Sequence, residues 1–93
     1  MARQFVVKAS FQRTYGRLSP DDRTRVKKAL GLLQRSLETG EAPVGLGVKK
    51  LGAGVYEFRV GLALRGVYVE EGPLVVLTLL GSHDEVRRFL KRV

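Results

Sequence analysis

The stretch YEFRVGLALRGVYV, residues 56–69, decides the fold. Two runs rich in aromatic and β-branched residues flank a short link containing Gly61, the pattern of a β-hairpin. A turn centred on Leu62 sets Tyr56 opposite Tyr68, Phe58 opposite Gly66 and Val60 opposite Leu64. That face is an apolar floor for helices. Side chains alternate along a strand, so Glu57, Arg59 and Arg65 take the other face, with Arg59 directly opposite Arg65. Like charges so placed destabilise a sheet. Two arrangements reconcile them: an anion held between both guanidinium forks, or Glu57 neutralising one arginine while the other reaches solvent. A slip of one residue would break the pairing, so the inference rests on register.

The flanking elements follow from periodicity and punctuation. Residues 4–9 (QFVVKA) read as a first strand. Ser10 is placed to cap a short helix in which Phe11, Tyr15 and Leu18 recur at helical spacing, with Gly16 weakening its end. Ser19-Pro20-Asp21-Asp22 is a strong start for a second helix, since serine caps, proline fits the first turn and the aspartates face the positive dipole end. Val26, Leu30, Leu33 and Leu37 trace its apolar stripe, and Gly40 supplies the stop. Residues 40–54 (GEAPVGLGVKKLGAG) read as a mobile basic loop carrying Lys49 and Lys50, with Val48 and Leu51 as anchors. It contains neither a Walker loop nor a dinucleotide fingerprint.

Strands are expected at residues 55–60, 64–70 and 74–80, the last two joined by Glu70-Glu71-Gly72-Pro73. Ser82 then caps HDEVRRFLKRV with Glu85 as capping-box partner, and Val86, Phe89, Leu90 and Val93 form its apolar face. The order β-α-α-β-β-β-α predicts one α+β domain over residues 1–93: a small antiparallel sheet with helices packed on one face.

Composition narrows the chemistry. The chain of 93 residues has no cysteine and one histidine, which excludes a disulfide framework, a thiolate nucleophile and a multi-histidine metal cluster. No apolar run approaches the roughly 20 residues that span a bilayer, and the start lacks a secretory apolar core. A cytoplasmic protein without metal or cofactor is the expectation. The net charge of +8 calls for a polyanionic partner, nucleic acid or an acidic protein.

His83 is the second unusual residue. It stands where the last strand ends and the last helix begins, a position that gathers anions. It is either an ordinary surface residue or an acid–base group beside the basic sheet.

The segments KKLGAGVYEFRVG (residues 49–61), LRGVYV (64–69) and LLGSHDEVRRFL (79–90), after a β-α-α start, resemble the RelE/ParE superfamily of type II toxin–antitoxin toxins. The resemblance covers nearly the whole chain. It implies a concave sheet face that receives mRNA in the ribosomal A site, metal-free attack of a 2′-hydroxyl on the adjacent phosphate, and an acidic cognate antitoxin. It implies Arg65 as the residue stabilising the transition state, Arg59 as phosphate-binding or structural, His83 in acid–base work and Glu57 as a base. Lys49, Lys50, Arg87 and Arg88 are the candidate RNA-binding cations.

The chain departs from the ribosome-dependent branch in two places. Val55 and Glu57 stand where that branch has lysines, and RRFLKRV closes without a tyrosine. Lys49 and Lys50 are the replacements on offer. The gyrase-directed branch of the same superfamily, which is not nucleolytic, and a catalytically inactive binding protein are the alternatives. Residues 75–80 offer a second antitoxin surface or, for most of them, central-strand core.

Overall fold

The computed structural model describes residues 3–41 and 45–92. Its elements are β1 (Gln4–Val7), α1 (Ala9–Arg17), α2 (Pro20–Thr39), β2 (Lys49–Gly52), β3 (Val55–Arg59), β4 (Leu64–Glu71), β5 (Leu74–Ser82) and α3 (His83–Arg92). Residues 42–44 of the glycine-rich connection lie outside the described residues. So does Val93, expected on the apolar face of the last helix.

The β3–β4 hairpin has the register that the sequence predicts. Tyr56 pairs with Tyr68, Phe58 with Gly66, and Arg59 with Arg65. Stacking of the Tyr56 and Tyr68 rings, 5.2 Å apart at 15°, supports that register. Glycine at position 66 is required by shape, because a methyl group there would run into the Phe58 ring. The turn tip, Leu62, is fully exposed.

The α+β class holds, and the sheet is mixed rather than antiparallel throughout. Its strand order is β1-β5-β4-β3-β2. β1 joins β5 in parallel, Phe5 opposite Val75 and Val7 opposite Leu77. The two helices between β1 and the rest of the sheet supply the long crossover that parallel pairing needs. A fifth strand, β2, forms in the segment expected to be a loop, pairing Lys49 with Glu57 and Lys50 with Tyr56. Lysine and glycine are poor strand formers, but the free edge of β3 offers a ladder and an edge tolerates charge. The segment is anchored upstream by buried Leu46, whose carbonyl accepts from the Arg59 amide at 2.7 Å. Val48, expected as an anchor, is exposed.

α1 and α2 cover one face of the sheet. Phe11, Val26, Ala29 and Leu33 pack against Phe58, Tyr68, Val75, Leu77 and Leu80. The start of α2 is as expected: Ser19 Oγ accepts from the Asp22 amide, Pro20 opens the helix, and Gly40 closes it at φ 79°. Ser10 is not a cap. Lys8 holds the cap position without a side-chain bond, and Ser10 donates instead to the Thr78 carbonyl at 2.7 Å. Thr78 is the extra residue where β5 shifts register against β4, between Leu77 opposite Tyr68 and Leu79 opposite Val67.

The one-face arrangement applies only to α1 and α2. Leu79 shares a surface recess with Phe89 of α3, and Leu79 projects from the side of the pleat opposite Leu80. α3 therefore leans on the sheet from the other side. It has no linker to carry it elsewhere: the Ser82 amide donates to Glu85 Oε1 at 3.0 Å and the Glu85 amide to Ser82 Oγ at 3.2 Å, turning the chain at once.

Gly66→Ala should lower stability by about 1–3 kcal/mol through overpacking, read as a lower urea midpoint at unchanged slope. Burial, with Glu70 and Tyr56 adding to it and Arg3 opposing, pushes the Tyr68 phenol from 10.0 to about 12. The folded state thus favours the neutral phenol, a contribution complete below pH 10 and lost as the pH rises toward 12. Tyr68→Phe should flatten that part of the alkaline unfolding curve.

Candidate active site

Hairpin register and strand alternation bring the charged residues together before any side-chain detail matters. Arg59 and Arg65 lie opposite one another on β3 and β4. Glu57 follows Arg59 on the same side of β3, and Lys49 of β2 is its cross-strand partner. On the other flank Arg65 pairs with Gly81 and Leu64 with Ser82, which delivers His83, the next residue, beside Arg65. Gly47, Lys49, Glu57, Arg59, Arg65 and His83 line one recess of about 150 Å³.

The electrostatics inside the recess are unequal. Glu57 is 8% exposed, and its Oε1 is fully buried without a hydrogen-bond donor. The nearest cation is Arg65, whose Nε lies 3.5 Å from that oxygen, an ion pair too long to be a good hydrogen bond. Among the described residues no ion pair holds Arg59, Lys49 or His83. Glu57 therefore leans on Arg65 while Arg59 keeps its full charge. Arg59 lies along the backbone of Gly47, where a Cβ would be 3.6 Å from its own and where φ is +59°. His83 is exposed at the recess mouth.

The other expected RNA-binding residues are elsewhere. Lys50 is paired with Tyr56, on the helix-covered side of the pleat, because it directly follows Lys49 on the strand. Arg87 and Arg88 belong to α3 and line a separate shallow recess with Asp84 and Lys91. The loop placement of Lys49 is likewise corrected, since it is held by a strand. A signal for that strand was present in the sequence: Gly52 and Gly54 bracket a tight turn, Gly54 at φ 70°, between KKL and VYEFR. Gly47, a wall of the recess, carried no sequence signal.

No family model matches the chain, and no curated protein matches it by sequence. Solved structures do. A chain of the E. coli DinJ-YafQ toxin-antitoxin complex superposes with a TM-score of 0.72 at 15% identity, over 92% of this chain and 98% of that one. A chain of the RelB-RelE antitoxin-toxin complex from Methanococcus jannaschii gives 0.67 at 14% identity, covering 90% and 96%. The chain has the RelE-like toxin fold. The YoeB/ParE toxin from Agrobacterium tumefaciens shares it as well, with a TM-score of 0.65 at 22% identity over 86% and 98%. In this RelE-like frame the recess sits on the sheet face that α1 and α2 leave uncovered.

A recess with three cations around one carboxylate should bind an oxyanion and be stabilised by it. Inorganic phosphate should raise the melting temperature of the wild-type protein, and raise it further in Glu57→Gln, where no carboxylate competes. Arg65→Ala should lose most of the shift. Calorimetry with and without phosphate at fixed ionic strength checks this.

Proposed function

We propose that this protein is the toxin of a type II toxin–antitoxin pair, an endoribonuclease that cuts mRNA in the ribosomal A site. The observation that carries the proposal is the single recess shared by Lys49, Glu57, Arg59, Arg65 and His83. The fold it shares with the toxins of known structure supports it.

The reaction assigned to the recess is an internal phosphoryl transfer. The 2′-oxygen forms a bond to the neighbouring phosphorus while the bond from phosphorus to the 5′-oxygen breaks. The products are a 2′,3′-cyclic phosphate and a free 5′-hydroxyl. Glu57, the one carboxylate in the recess, takes the 2′-hydroxyl proton. His83, at the mouth, gives a proton to the departing 5′-oxygen. Arg65 and Arg59 hold the non-bridging oxygens as charge builds on them, and Lys49 adds a third cation. Entry of the phosphate also loosens Glu57 from Arg65, because the guanidinium then has a stronger partner.

A net charge of +8 makes an acidic antitoxin the fitting neutraliser. The neighbouring folds in complexes with DinJ and RelB support a partner of that kind.

Expression of the protein in growing cells should arrest growth and leave cuts inside translated codons, visible by mapping 5′ ends. Growth arrest with intact messages overturns the nuclease. If purified protein then inhibits gyrase supercoiling, the gyrase-directed alternative takes its place. Arg65→Ala should reduce cleavage by roughly 10²–10³-fold in a protein that still folds, with a lower melting temperature because buried Glu57 loses its guanidinium neighbour. A fully active Arg65→Ala protein would remove the role given to that residue.

A further inference from the structure

Beside the recess lies a larger groove of about 480 Å³, between α2 and the β3–β4 turn. Its rim carries Arg25 and Lys28, both exposed and one helical turn apart, and its floor is aliphatic, with Leu32, Leu46 and Val60. Arg59 lines the groove and the recess alike. The Arg59 side chain lies along Gly47, whose φ of +59° favours glycine, between the two cavities.

The charges run in one direction. The carboxylate paired with this rim is Asp22, which lines a neighbouring recess and lies 2.8 Å from Arg25 in an exposed i,i+3 pair. Such a pair neutralises little. From the groove into the recess the cations therefore continue as Arg25, Lys28, Arg59 and Arg65, opposed within the recess by Glu57 alone. A line of cations extending over two adjoining cavities matches a chain of phosphates better than a single one. An acidic amphipathic protein segment would also suit the aliphatic floor, but it leaves the continuation through Arg59 without a purpose. Ribose and base faces rest on an aliphatic floor without sequence being read.

We propose that the groove is the track for the single-stranded RNA flanking the cleaved bond. Phosphates of that strand sit at Arg25 and Lys28, and Arg59 leads the strand into the recess. The proposal rests on the endonuclease assignment and extends its substrate from one phosphate to several nucleotides.

The test uses non-cleavable 2′-O-methyl RNA, a dinucleotide and an octanucleotide, with fluorescence anisotropy on the wild-type protein and on Arg25→Ala/Lys28→Ala. Both positions are exposed, so the fold should survive, and an unchanged melting temperature checks that. The double variant should bind the octanucleotide at least tenfold more weakly. The slope of log affinity against log salt should shrink by about 1.4, for two lost single-strand phosphate contacts. Dinucleotide binding should not change, and Arg25→Lys/Lys28→Arg should keep octanucleotide affinity. Unchanged octanucleotide affinity and slope in the alanine variant overturn the track. Wild-type protein that binds the octanucleotide no better than the dinucleotide overturns it too. If wild-type protein still cuts mRNA in either case, the endonuclease assignment stands and only the track falls. Loss of antitoxin binding with RNA binding intact would make the groove a protein-docking surface instead.

Discussion

Phe58 and Gly66 are the pair on which the rest of the molecule depends. The Phe58 ring fills the space above the one residue on β4 that has no side chain, beneath the helices of the opposite layer. A one-residue slip would put a side chain under the ring and send Tyr56 and Tyr68 to opposite faces. The steric lock on the covered face thus fixes what happens on the uncovered one. Arg59 is held opposite Arg65 whatever the cost of placing two cations together. Core packing and site geometry are two sides of one sheet register.

The site is correspondingly unsatisfied. A carboxylate oxygen is buried without a donor, its guanidinium neighbour stands at 3.5 Å, and a second guanidinium has no carboxylate among the described residues. Each of these is a local loss that a sequence optimised for stability would remove. Their concentration in one recess, while Ser19, Ser82 and Glu85 are conventionally bonded, marks where folding and chemistry have different requirements.

Much of this was visible in the amino-acid sequence because the signals were local. Alternation and a short link define the hairpin, and cap residues define α2 and α3. What could not be read depended on long-range partners. Lys49 and Lys50 belong to a strand only because β3 has a free edge, which strand propensity does not register. Ser10 looks like a cap until the carbonyl of a register shift in β5, 68 positions away in sequence, claims its hydroxyl. The parallel pairing of β1 was implicit in the length of the helical crossover. Of the cations, the cross-strand arithmetic found Arg59 and Arg65, and the rule of alternation separates Lys49 from Lys50 once the strand is known. The groove beside α2 had no sequence signature, because its walls come from three distant segments.

β5 passes into α3 with no intervening residue, and the capping box clamps the joint. The imidazole is therefore mounted at a junction of two rigid elements, and its bearing toward Arg65 is set by hydrogen-bond ladders. Insertions or deletions at the surface turns would leave that bearing untouched. Lineages carrying this scaffold are free to redraw their outlines without retuning the centre.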